Sequence, residues 1–333
     1  MHRRQFLAAI GVAAAALSRS VQVLAAEQQT GQDSVSRGLL DAFLALPGNK
    51  SVLVDIDRPH GVRRVAYQPD SPLFCGSCFK TFVLATYLQG VEAGTLTESE
   101  QLPIDDSIRS VGGGVFEFLT GTASARTVLE AMIAHSDNTA TDVAMLRVGA
   151  DKVRAFIRAA GLTQARIPDS TRRFFSYLSG YPAGTDMGWA GLQAMQAGKP
   201  GGPLRPAIND QQTMVCPASE FVAYYKRALA GEFFRKKETL TEFKRIQAMA
   251  DAIAMVVPAD TPAYMKGGSI DWNGFHCLAI AGQMIVRDTP VTVAFLHNWT
   301  DADGDQKQTT GAFKDAVAEV LSKVHKRVLE VRA

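Results

Sequence analysis

The sequence predicts an α/β fold of the α+β kind. One antiparallel sheet is formed by the N- and C-terminal segments and flanked by helices, with a mainly helical lobe inserted between them. Two observations carry that prediction. Strand-like runs stand near both ends of the chain, "SVLVDI" at 51–56, "GFHCLAIAGQMIV" at 274–286 and "PVTVAFLHNW" at 290–299. Between them, "SARTVLEAMIAHSDNTATDVAMLRVGADKVRAFIRAAGL" at 124–162 keeps a helical period. With 47% hydrophobic residues in 333, there is ample material for a core. We take 27–333 as one domain, which could equally be two intimately packed lobes.

The elements follow in order. A helix over Ser34–Leu46 is closed by Pro47-Gly48. Two strands then flank a turn at Pro59–Gly61, the first buried and the second more polar. Gly76-Ser77 opens a helix that ends near Gly90–Gly94. Residues 95–125 read as loop, including Gly112-Gly113-Gly114, and the long helical passage follows, broken at Ser136-Asp137-Asn138 and at Gly149. Residues 163–213, rich in Gly and Pro, read as long loops. Ser219 caps a helix with Gly231 just past its end, and a further helical run reaches about Ala254. Strands from "AYMKGGSI" onward and an amphipathic helix over roughly 311–328 complete the chain.

The first 26 residues stand apart. Arg3 and Arg4 precede Phe6-Leu7 and an Ala-rich run ending near Leu17, with small residues at Ala25 and Ala26 for cleavage. That run is shorter than the roughly 20 apolar residues of a spanning helix, and has the parts of a secretory signal. The Arg-Arg-x-Phe-Leu pattern resembles a twin-arginine signal, which implies the twin-arginine export machinery as a partner. The expected location is periplasmic or secreted, with no membrane anchor after cleavage; an uncleaved N-terminal anchor is the alternative. Without 1–26 the chain loses three arginines, leaving 32 basic residues (35 less 3) against 33 acidic. A near-neutral chain argues against nucleic-acid or anionic-membrane partners.

"FCGSCFKTF" at 74–82 interleaves two patterns, Cys75-x-x-Cys78 and Ser77-x-x-Lys80. The cysteine pattern points to a metal or redox site, but Cys216 and Cys277 lie 61 residues apart without a second close pair. With His276 beside Cys277 as the remaining conceivable ligand, the closed tetrahedral pattern is missing, so no metal and no cofactor are expected. The serine pattern gains force from its surroundings. A spacing of three puts Lys80 one turn from Ser77 on the same helix face. Ser136-Asp137-Asn138 follows at a break between helices, and Lys266-Gly267-Gly268 on a strand.

Ser-x-x-Lys, then Ser-Asp-Asn, then Lys-Thr/Ser-Gly is the order found in class A β-lactamases and penicillin-binding proteins. The chain resembles that superfamily over about 33–330, including the passages around 61–97 and 135–162. The resemblance implies a β-lactamase/transpeptidase-like fold and a small-molecule substrate, a β-lactam or related amide or ester. It makes Ser77 the nucleophile, Lys80 its base, Ser136 the proton relay to the leaving nitrogen and Asn138 the residue that orients Lys80 or the substrate. Lys266 then faces a substrate carboxylate, and the N–H groups of Ser77 and Ser269 form the oxyanion hole. Asp137 reads as a structural carboxylate.

Four departures stand out. Gly267 replaces the usual Thr or Ser of the third motif, within the expected substrate-binding set of Gly267, Gly268, His276 and Arg172. His276 is the cation-capable substitute for an arginine that many class A enzymes carry nearby, or else a structural strand residue. The deacylation-loop glutamate is absent: no Glu stands between Glu130 and Glu220, and the region reads "RIPDSTRRFFSYLSGYPAG". Asp169 is the candidate deacylation base there, with Arg172 and Arg173 either solvated, paired with it, or facing an acidic substrate group. Residues 187–215 look like an insertion, a flap or surface elaboration. The expectation is a hydrolase that acylates readily and deacylates slowly; an esterase or peptidase of the same fold, or a slow penicillin-binding protein, are the alternatives.

Overall fold

A computed structural model describes residues 38–58 and 63–330. The expected signal at 1–26 and the turn at Pro59–Gly61 lie outside the described residues. Among the described residues, no helix is long and apolar enough to cross a membrane.

Both ends of the chain build the main sheet, as expected. Strands β1 (Asn49–Ile56) and β2 (Arg64–Tyr67) come from the N-terminal side, and β7 (Ala263–Trp272), β8 (Phe275–Val286) and β9 (Thr289–Thr300) from the C-terminal side. The order is β2-β1-β9-β8-β7, antiparallel throughout. Val52, Val54 and Ile56 of β1 and Val291 and Val293 of β9 are buried, where branched residues suit a pleated surface. Strand β7 is left at the edge of the sheet.

Each face of the sheet has its own core. On one side pack the helix at 38–44 (α1), α10 (Ala252–Val256) and α11 (Gln306–Glu330). Phe43 meets Phe295 of β9 edge-on at 5.2 Å and Phe313 of α11 at 6.1 Å. On the other side lies the helical lobe. At its centre is α2 (Lys80–Glu92), buried from Lys80 to Leu88. A helix apolar on every side belongs inside a protein. Around it stand α3 (Ala125–Ala134), α4 (Asn138–Val148), α5 (Ala150–Ala159), α8 (Ala218–Ala230) and α9 (Lys237–Gln247).

The segments expected to be loop contain structure. Residues 95–125 hold a small hairpin, β4 (Gln101–Ile104) with β5 (Gly121–Ser124). The stretch 163–213 holds α6 (Thr171–Leu178) and α7 (Gly188–Gln196). The stop signals around α6 are real, but Ser170 accepts a hydrogen bond from the Arg173 amide at 3.0 Å and starts a helix between them. Ser219 does not cap α8: Pro217 holds that position, and the Ser219 amide bonds Pro69 O at 2.9 Å. Gly231 closes α8 in the left-handed region, φ 88°, as its position implied.

Candidate active site

The nucleophile turn forms where β3 (Leu73–Phe74) runs into a 3₁₀ turn, Gly76–Phe79, that leads directly into α2. β3 pairs with β6 (Val215–Cys216). Two glycines explain how this turn lies so close to the edge strand β7. Gly76 sits at φ +50°, and a side chain there would place its Cβ 2.6 Å from the Ser269 amide nitrogen. At Gly268 a Cβ would stand 2.1 Å from Cys75 O and 2.8 Å from the Ser77 nitrogen. Only hydrogen fits at either position, so the backbones of the first and third motifs touch. The turn leaves Ser77 partly exposed between buried neighbours.

The second motif meets the first through a lysine. Lys80 Nζ donates to Ser136 O at 2.5 Å and to Asn138 Oδ1 at 2.8 Å, with Ser136 Oγ at 3.4 Å. Ser136 holds a left-handed backbone, φ 59°, that turns its carbonyl toward the lysine. Asp137 fixes this corner: Oδ1 accepts from the Ala140 amide, capping α4, and Oδ2 accepts from the amides of Val115 and Phe116. Asn138 is anchored by Nδ2 donating to Val111 O at 2.7 Å.

Lys80 is fully buried, and burial holds its ammonium well below the ordinary lysine range, with the Lys266 charge pushing the same way. Asp137 and Asp142 oppose the shift without making an ion pair. Lys266, on β7, is lowered by burial to about 8, against the pull of Cys78 and Asp251. Its ammonium donates to Gly267 O at 2.8 Å.

The four cysteines are buried thiols packed around the turn. Cys78 Sγ lies 3.2 Å from Lys266 O and Cys277 Sγ 3.0 Å from Phe74 O. Burial raises all four, Cys78 to about 12. Among the described residues, no three His, Cys, Asp or Glu side chains are grouped to hold a metal.

Four sequence candidates make contacts that bear on their expected roles, and for His276 they fit the structural alternative. Asp169 is bound by Arg154, by Gln212 Nε2 at 2.8 Å and, more distantly, by Arg173 at 3.9 Å. The buried guanidinium of Arg172 grips Asp186 bidentately at 2.9–3.1 Å and donates to Asp106 O and Arg109 O, both at 2.9 Å, so its donors are engaged within the protein. His276, 3% exposed, donates Nε2–H to Asp301 Oδ1 at 2.8 Å and lies tilted by 30° against the Trp299 ring, 5.1 Å between centroids. Its Nδ1 is 3.2 Å from Asp271 Oδ1 and not aligned for a hydrogen bond. Gly267 faces α10: a Cβ there would meet Ala252 Cβ at 3.0 Å, a tight contact that α10 would have to accommodate.

Sequence reasoning missed Asp142. It lies on α4 one turn beyond Asn138 and accepts from Thr171 N (2.6 Å), Thr171 Oγ1 (2.8 Å) and Arg172 N (2.9 Å). Burial raises its carboxyl to about 6 in spite of those bonds. The i, i+4 spacing from Asn138 was the available signal.

Comparison with known proteins bears on the fold and the family. No curated protein sequence matches the chain. Among solved structures, a β-lactamase from Xanthomonas campestris pv. campestris str. ATCC 33913 is 18% identical, with TM-score 0.67 over 89% of this chain and 98% of that one. A class A β-lactamase of the last common ancestor of Gram-negative bacteria is 17% identical, TM-score 0.67, over 88% and 100%. A PBP-A mutant, solved as an acyl-enzyme complex with penicillin-G, is 14% identical, TM-score 0.64, over 89% and 97%. At such identities the likeness establishes the fold. The family itself is fixed by a sequence-family model for the beta-lactamase enzyme family that matches residues 41–271, and the chain belongs to that family.

Proposed function

We propose that the protein is a serine hydrolase that opens β-lactam amides through an acyl-enzyme on Ser77 and releases the product slowly. The observation that carries this reading is the hydrogen-bonding of Lys80. A neutral amine has two N–H bonds, and acceptors stand ready for both at Ser136 O and Asn138 Oδ1. Its lone pair then remains for the Ser77 hydroxyl one helical turn away. Burial and Lys266 favour that neutral form.

In the acylation step Lys80 takes the Ser77 proton as Oγ bonds to the substrate carbonyl carbon. The amide N–H groups of Ser77 and Ser269, brought together by the Gly76 and Gly268 contacts, are the donors for the resulting oxyanion. The C–N bond breaks as Ser136 Oγ passes a proton to the leaving nitrogen and regains one from Lys80, which lies 3.4 Å away. Lys266 attracts the substrate carboxylate. The product of this step is an ester on Ser77.

Release needs water activated by a base. Asp137 and Asp142, whose charges act on Lys80, each already accept three hydrogen bonds. Asp169 is bound to Arg154 and Gln212. General-base help is worth about 10²–10⁴-fold, so hydrolysis of the ester is the slow half. The test is intact-protein mass spectrometry after brief exposure to penicillin G. Wild type should gain one penicilloyl mass and Ser77→Ala none; an undiminished adduct on Ser77→Ala would refute the assignment.

We further read residues 1–26 as a twin-arginine export signal and 27–333 as the exported hydrolase domain. N-terminal sequencing of the protein recovered outside the cytoplasm checks the cleavage site, and a start well before Glu27 would contradict it.

A further inference from the structure

The side of the cleft around Ser136 and Lys266 does not end at those residues. A cavity of about 430 Å³ runs from them around the edge strand β7 to the far face of the sheet. It is bounded by Ser136 and Lys266 at one end and by Leu278, Ile280 and Phe313 at the other, with Ala252 and Met255 of α10 along its side. Ser77, Lys80 and Asn138 are not part of its wall. A cavity of this size and lining is within the range of small-molecule sites, which are mainly apolar with a few placed polar groups.

The sequence explains why this space is open. In the pairing of β7 with β8, Gly267 lies opposite Ile280 and Ser269 opposite Leu278, so these four share the face toward α10 and α11. Gly267 contributes no side chain to it. His276, on the same face, is drawn back between Trp299 and the carboxylates of Asp271 and Asp301. Met255 on α10 is 52% exposed, an apolar side chain with no packing partner sufficient to cover it.

The geometry points to a subsite for a bulky apolar arm on the leaving-nitrogen side of the substrate. This rests on the hydrolase reading above, in which Ser136 protonates the leaving nitrogen and Lys266 holds the adjoining carboxylate. Both groups open onto the cavity, whereas the nucleophile and its base do not, so what extends into the cavity is the departing half of the substrate. The substrate class is therefore a lactam or amide acid whose amine portion carries an aromatic or branched aliphatic substituent.

The test uses two cephalosporins with the same acyl side chain, one with methyl and one with 2-phenylethenyl at C3, an arm that stays attached when the ring opens. The second-order acylation rate of Ser77 is read by quenched intact mass. The phenylethenyl compound should acylate about tenfold faster, the scale expected for filling an apolar pocket. That ratio should fall to about two or less in Ala252→Leu, which fills the cavity from α10, and in Met255→Glu, which makes its wall polar at a half-exposed position. Equal rates for the two compounds in wild type, or a ratio that survives both substitutions, would overturn the subsite while leaving the hydrolase reading intact. Absence of any Ser77 adduct with either compound would overturn both.

Discussion

Two regions flank the candidate site and use the same kinds of charged residue in opposite ways. At Lys80 the protein buries a lysine among carbonyl and amide acceptors and gives it no direct carboxylate partner. In the loop and helix at 166–187 each charged group that looked functional is matched to another: Asp169 to Arg154, Arg172 to Asp186. The first arrangement leaves a base strained toward its neutral form. The second neutralises its charges and secures a helix that the region's composition did not announce. The difference teaches that a charge is available for chemistry where burial denies it a counter-ion, and is structural where the fold supplies one.

The sharpest break of that comparison is Lys80→Met. Acylation by penicillin G should slow by about 10³-fold, within the range for loss of a general base, while Ser77 keeps its place. A loss under tenfold would show that Lys80 is not the base. Next is Gly268→Ala, whose added carbon would strike Cys75 O. Displacing the nucleophile turn from β7 should cost about 10²-fold in acylation and about 3 kcal/mol in stability. An unperturbed variant would mean that the turn and strand are not held in the contact described.

The pH profile sharpens the same contrast. Lys266 must carry charge to hold a carboxylate, and its folded value is about 8. Acylation should therefore fall about tenfold per pH unit above that point, and Lys266→Arg should move the limb to higher pH. The stability effect has the opposite sense. Between about 8 and the ordinary 10.5 the unfolded chain holds a proton that the folded lysine has released, so this group makes the fold relatively more stable as pH rises through that window. Its burial penalty is present in full below it. Urea unfolding at pH 8 and pH 10, compared between wild type and Lys266→Met, isolates the slope; an identical slope in both proteins would discard it.

Arg172→Ala should act on stability rather than on substrate. It leaves Asp186 and two backbone carbonyls without their donor, at a cost of about 2–3 kcal/mol, with acylation per folded molecule little changed. A specific loss of affinity at full stability would restore Arg172 as a substrate cation. The smallest effect belongs to Asp169→Asn, which should change release from Ser77 by less than about twofold. Slowing of release by ten or more would return Asp169 to the role of deacylation base.

How much of this was legible in the sequence follows from the range of each interaction. The strand runs at both ends, the buried α2 and the break at Ser136-Asp137-Asn138 are local patterns, and each fold element they imply is present. The three motifs could be read because spacing of three on a helix and a fixed order along the chain survive in one dimension. The partners of Asp169 and Arg172 could not, since Arg154, Gln212 and Asp186 are chosen by tertiary packing. The same holds for Asp142, whose importance depends on where α6 begins. Gly267 looked like a lost hydroxyl in the sequence; in the fold it lies beside Ala252 of α10 on the wall of a cavity.

The central claim is that the site is built to acylate and not to release. Rapid-quench mass spectrometry over the first turnover with penicillin G tests it most directly, alongside steady-state hydrolysis in the same mixture. The account predicts a burst of nearly one acyl group per Ser77, followed by turnover at least about a hundredfold slower than the burst. Fast linear hydrolysis with no accumulated adduct would contradict it.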